Sequence, residues 1–153
     1  ALPTNQRRGL FIGHGTTRPD NEWPDVNWLK LADMAIAEGH PILIPQSGAR
    51  ENKSALSWVE KLGSQAELLP PMTLSELLPV MQSSLGSVCV DSGLGHLAIA
   101  LGLPVVQIFS QPRIARAGPK GCKHQVAVGG AQAPDVDTVW QAWKQVLAEE
   151  SHS

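Results

Sequence analysis

Residues 88–102, V-C-V-D-S-G-L-G-H-L-A-I-A-L-G, put an acid, a hydroxyl and two glycines between two apolar runs. This spacing predicts a buried strand ending at Asp91 and a helix opening at Ser92, with Gly93 and Gly95 in its first turn. The first N–H groups of a helix have no intrahelical partner, and the aligned peptide dipoles add partial positive charge there. Small residues at such a terminus let an anion approach the backbone, so the segment reads as a phosphate cradle. The competing reading is an ordinary strand–turn–helix with Ser92 as its N-cap. The pattern is not G-x-G-x-x-G and gives no support to dinucleotide binding. His96, four residues after Ser92, either donates to a ligand phosphate or caps a neighbouring loop.

Two further segments carry polar groups. G-H-G-T-T-R-P-D-N-E-W-P, residues 13–24, offers the hydroxyls of Thr16 and Thr17 to an anion, with Gly13 and Gly15 permitting a tight turn. Trp23-Pro24 reads as a plug that packs this loop onto the domain. In P-Q-S-G-A-R-E, residues 45–51, Glu51 can accept from sugar or ribose hydroxyls, or simply stand as a solvated acid in a first helical turn.

The elements that position these segments follow from periodicity. Leu10-Phe11-Ile12 is a short buried strand, and Pro41-Ile42-Leu43-Ile44 a second. Between them, apolar residues at 28, 29, 31, 32, 35 and 36 form an amphipathic helical stripe closed by Gly39. A helix over about 52–62 and a weaker strand over 66–69 come next. Thr73-Leu74-Ser75-Glu76 fits a capping box that opens another helix. Residues 87–90 form a strand apolar on both faces, 94–101 a helix and 105–109 a strand. A short strand over 125–128 and a helix over about 135–149 complete the chain. Strand and helix alternate with short connections, which predicts an α/β fold, a Rossmann-like doubly wound parallel sheet in a single domain over 1–153. Ligands of such sheets bind beyond the carboxyl ends of the strands, where all three polar segments fall.

Composition narrows the classes. With 153 residues, 42% hydrophobic, the chain has enough apolar surface for one core and too little length for two full domains. A net charge of −2 gives no general attraction to nucleic acid or an anionic membrane, so any anion must be held by local geometry. Cys89 and Cys122 are too few for a disulfide scaffold; Cys89 reads as a buried thiol, and Cys122 with His124 offers only two ligands for zinc. The longest apolar stretch, 94–109, is interrupted by His96, Gly102, Pro104 and Gln107, which argues against a membrane span. The N-terminal ALPTNQRRGL lacks both a signal core and an initiator Met, and reads as the start of a domain rather than of a gene product.

In order and spacing, H-G-T-T-R-P-D-N-E-W-P, P-Q-S-G-A-R-E, L-P-P-M-T-L and V-D-S-G-L-G-H-L-A-I-A-L resemble the C-terminal half of bacterial ADP-heptose:lipopolysaccharide heptosyltransferases (glycosyltransferase family 9), nearest to the heptosyltransferase I type. The likeness runs from about residue 10 to 109. It implies one half of an inverting GT-B enzyme, with two Rossmann-like domains across a cleft, that transfers heptose to the Kdo of the lipopolysaccharide inner core. The half seen here would bind the ADP-heptose donor. The missing N-terminal half would bind the Kdo2-lipid A acceptor and supply the aspartate general base, leaving no catalytic residue in this chain. Carried over by position, Thr16 and Thr17 contact the diphosphate, Glu51 the ribose hydroxyls, Met72 the adenine and Asp91 the heptose hydroxyls. Ser92, Gly93 and His96 line the phosphates. No cofactor, metal or nucleic acid is implied, and the setting is cytoplasmic with peripheral contact at the inner membrane.

The chain also departs from that pattern. Asn21 stands where a lysine near the diphosphate is expected, Ser92 stands for a usual Thr, and the segment after residue 109 carries Arg113, Arg116, Lys120 and Lys123 in place of a Gly-Pro-Thr-Asp-Pro-like turn. One of these cations replaces the lysine, or they form a solvated basic loop. Two alternatives therefore stand beside the donor half: a non-catalytic nucleotide-binding half-protein, and half of another GT-B enzyme such as a UDP-sugar transferase or epimerase.

Overall fold

The structure is a computed structural model that describes residues 8–15, 23–46, 49–90, 93–109, 124–129 and 133–151, with the backbone alone described for 49–52, 93 and 150–151. In chain order the elements are β1 (Leu10–Gly13), α1 (Asp25–Ala37), β2 (Ile42–Ile44), α2 (Ala49–Leu62), a 3₁₀ turn (Gly63–Gln65), β3 (Ala66–Leu68), α3 (Leu74–Ser83), β4 (Gly86–Val90), α4 (Gly93–Ala100), β5 (Val105–Phe109), β6 (Gln125–Gly129) and α5 (Val136–Ser151). All six strands are parallel, in the order β3-β2-β1-β4-β5-β6. This is the expected doubly wound α/β sheet.

Each strand sends alternate side chains to opposite faces. Leu10, Ile12, Ile42, Ile44, Val88, Val90, Val106 and Ile108 meet Trp28, Leu31 and Ala35 of α1, Ala55 and Trp58 of α2, and Val139, Trp143 and Val146 of α5. On the other face Phe11, Cys89 and Val105 meet Leu77 and Met81 of α3 and Ala98 of α4. Both faces are covered, which explains why β4 and β5 are buried at every residue and show no polar alternation.

Element ends follow local chemistry. Gly39, at φ +87°, takes the left-handed position after α1, and its N–H donates to Ile36 O at 2.9 Å. The capping box of α3 is present with both hydrogen bonds. Asp135 closes the start of α5 by accepting from Thr138 N at 2.8 Å. Helix α2 begins at Ala49, three residues before the expected start, so Glu51 lies in its first turn. The apolar face of α2 begins only at Ala55, and the first polar turn carries no periodic signal.

Candidate functional site

The sheet order places a topological switch between β1 and β4. From β1 the chain passes through α1 toward β2 on one face; from β4 it passes through α4 toward β5 on the other. The two connections diverge and open a crevice at the carboxyl edge. Gly13, the last residue of β1, is in register with Cys89, so the two strands end at nearly the same height.

Close packing brings the start of α4 down onto this edge. A Cβ at Gly95 would lie 2.8 Å from Val90 O and 2.9 Å from Cys89 Sγ, and one at Gly13 would lie 2.7 Å from Cys89 Cβ. Both glycines are therefore required by approach of backbone to neighbour. Gly95 thus owes its lack of a side chain to the sheet beneath it, and Gly13 is a strand residue with no left-handed φ. These packing contacts are invisible to spacing. The helix begins at Gly93, with its first N–H groups at the crevice, and His96 follows as an exposed residue of the same turn.

The β1 loop is held at both ends by one aromatic cluster. His14 is buried and meets Trp58 of α2 edge-on, with ring centroids 4.8 Å apart. Trp23 is buried against Trp28 at 4.9 Å, and Trp28 lies 6.2 Å from Trp58. Trp23 also donates from Nε1 to Pro134 O at 2.9 Å. The plug expected at Trp23-Pro24 is thus a tie to the segment before α5. On the far side of the switch, Gln46 donates to Leu69 O at 3.0 Å, joining the end of β2 to the end of β3. Met72 is half-buried beside that edge, against the α3 face of the core. Just after it, Glu76 accepts from Thr73 N at 2.9 Å, and this backbone bond, then the side-chain bond with Thr73, holds its carboxyl below the usual carboxylate range.

Of the expected site residues, Gly93, His96, Met72 and Glu51 stand at this edge or in helical turns that open from it, with the side chain of Glu51 outside the description. Thr16, Thr17, Asp91 and Ser92, along with Asn21, Cys122 and the basic segment 110–123, lie outside the described residues. Nothing in the spacing of the sequence marks His14, Gln46 or Gln107 for a site role. A separate open cleft of about 410 Å³ between α1 and the start of α5 is lined by Asp33, Asp135, Asp137 and Lys30. Three carboxylates against one ammonium make it a poor match for a diphosphate. Among the described residues no helix is long and apolar enough to cross a membrane.

Residues 2–141 match the family model described as glycosyltransferase family 9 (heptosyltransferase). The chain belongs to that family. Lipopolysaccharide heptosyltransferase 1 of Pseudomonas aeruginosa is 33% identical over 120 residues, 78% of this chain and 33% of the relative. Its counterpart in Escherichia coli K12 is 32% identical over 108 residues, 71% of this chain and 34% of the relative. The E. coli heptosyltransferase WaaC, solved with ADP, superposes with a TM-score of 0.84 at 28% identity, covering 95% of this chain and 46% of that one. The family 9 chain thus spans about a third of the length of these curated relatives and just under half of the solved one.

Proposed function

We propose that this chain is the donor-binding half of an inverting heptosyltransferase and that it holds ADP-heptose in the crevice between β1 and β4. The observation that carries the reading is the start of α4, a helix terminus seated by Gly95 on β4 at the switch point, within the family segment V-D-S-G-L-G-H. The likeness to a structure solved with ADP supports the nucleotide. On this reading Thr16, Thr17, Ser92, Gly93 and His96 surround the diphosphate. Glu51 holds the ribose, Met72 flanks the adenine and Asp91 takes heptose hydroxyls.

The reaction asks two things of the whole enzyme. A base supplied by the other half removes a proton from an acceptor hydroxyl of the lipopolysaccharide inner core, and the oxygen attacks the anomeric carbon from the face opposite ADP. Negative charge then grows on the departing diphosphate. The residues of this half oppose it with hydroxyls, N–H groups and the α4 dipole, already oriented before reaction. A lipid-borne acceptor places the whole enzyme at the cytoplasmic face of the inner membrane.

Calorimetric titration with ADP, ADP-heptose, UDP and GDP tests the reading. Selective binding of the adenine nucleotides is expected, weakened about 10-fold or more in His96→Ala, in line with a lost hydrogen bond to a charged group. The 153-residue chain alone should transfer no heptose. A preference for UDP would move the chain to another branch of the GT-B fold. Equal affinity for ADP and ADP-heptose would favour a non-catalytic binding module, a reading that Asn21 and the basic segment motivate.

A further inference from the structure

Gln107 is fully buried in β5, and among the described residues neither the nitrogen nor the oxygen of its amide has a hydrogen-bond partner. Such a group destabilises the free protein, because both atoms give up water and receive nothing in return. A second buried glutamine on the same face makes the contrast. Gln125 of β6 donates to Ile99 O and Leu103 O, each at 3.0 Å, and so pins the carboxyl end of α4. Gln125 is in register with Val105, two residues before Gln107 on β5. The nitrogen of one amide donates twice at the end of α4; the other amide is unengaged nearer its start.

The register locates Gln107 more closely. Gly13, Cys89, Gln107 and Ala127 form one row across β1, β4, β5 and β6. The first turn of α4 stands on that row: a Cβ at Gly95 would meet Cys89 Sγ, and one at Gly13 would meet Leu94 Cβ at 4.0 Å. Gln107 is therefore one strand away from the point where the helix terminus meets the sheet, at the same height. We propose that Gln107 is a specificity-determining residue of the donor site, its amide bonding a sugar hydroxyl of the nucleotide-sugar directly or through one water. This rests on the donor-binding reading above.

Two considerations select the sugar. An amide offers both a donor and an acceptor, and a hydroxyl answers both, whereas a phosphate oxygen only accepts and would leave Gln107 Oε1 unmet. Position agrees. Glu51 and Met72, assigned to the nucleoside, follow β2 and β3 on one side of the switch, and Gln107 lies on the other. Four strand spacings, about 19 Å, separate β3 from β5, so the group that reaches Gln107 is the opposite end of the donor.

The test compares wild type with Gln107→Met and Gln107→Leu, which keep the volume and remove the polar atoms, by titration with ADP and with ADP-heptose and by thermal melting without ligand. The expected result is a higher melting temperature for both variants, ADP affinity within about twofold of wild type, and about a tenfold loss in the advantage of ADP-heptose over ADP. An unchanged advantage in both variants overturns the inference while leaving the donor reading intact. So does a lower melting temperature with equal losses for both ligands, which would make Gln107 a support of the fold through an internal water. Failure of wild type to bind either ligand overturns the donor reading, and the role of Gln107 with it.

Discussion

Gly95 is the residue on which the geometry of the crevice depends most directly. Replacing it by Ala would favour the helix by about 1 kcal/mol on propensity alone. The added methyl, however, would lie 2.8 Å from Val90 O and 2.9 Å from Cys89 Sγ, with backbone on one side of it. Helix α4 must then lift from β4. The strain should exceed the propensity gain, for a net loss of about 1–3 kcal/mol in denaturant unfolding and a parallel loss of ADP affinity. A Gly95→Ala chain as stable as wild type would mean that α4 floats on the sheet and that the close contact does not seat the site.

At the scale of the element, α3 follows the edge that carries Met72, and its capping box fixes where that helix begins. Thr73 Oγ1 accepts from Glu76 N at 3.3 Å while the Glu76 carboxylate accepts from Thr73 N. The depressed pKa of Glu76 sets the sign of its pH dependence. The stabilisation is complete above the ordinary carboxylate range and is lost as pH falls through the lowered native value. Glu76→Gln should therefore melt below wild type at pH 7, and the gap should close on acidification through that range. A gap that stays constant would show that charge plays no part in the cap. Thr73→Ala, which removes the other half of the box, should cost about 1 kcal/mol at neutral pH.

The whole molecule adds ties that no single element contains. Trp23 and Pro134 are 111 residues apart in sequence, yet the bond between them fixes the return of the β1 loop against the start of α5. Together with His14 on Trp58, it anchors both ends of the segment that carries Thr16 and Thr17. Trp23→Phe removes the N–H together with part of the buried ring that packs against Trp28. The expected cost, lost bond and cavity together, is about 2–3 kcal/mol of stability, with ADP binding weakened severalfold. Loss of stability with unchanged ADP affinity would detach the clamp from the nucleotide site. The exposed pair of Lys144 and Glu38 also spans the molecule, at 2.6 Å, but as a surface ion pair it contributes little beside the buried tie.

Much of this was legible in the residues themselves. Periodicity gave the strands and helices to within a few residues, since β5 falls on 105–109 as read and α1, 25–37, encloses the apolar stripe at 28–36 that Gly39 closes. Local rules gave the capping box at Thr73–Glu76 and the turn at Gly39, where neighbouring atoms alone set the geometry. The motifs around Thr16, Glu51, Met72 and Ser92, in that sequence along the chain, gave the family. Other features depended on which strands become neighbours, and that is a property of the closed sheet. Gly13 and Gly95 are small because Cys89 and Val90 lie against them, and Trp23 serves Pro134. Gln107 gave one sequence signal, a polar residue inside an apolar run. Whether its amide was engaged like that of Gln125 or left unbonded beside the start of α4 was decided only when the sheet brought β4, β5 and β6 into register.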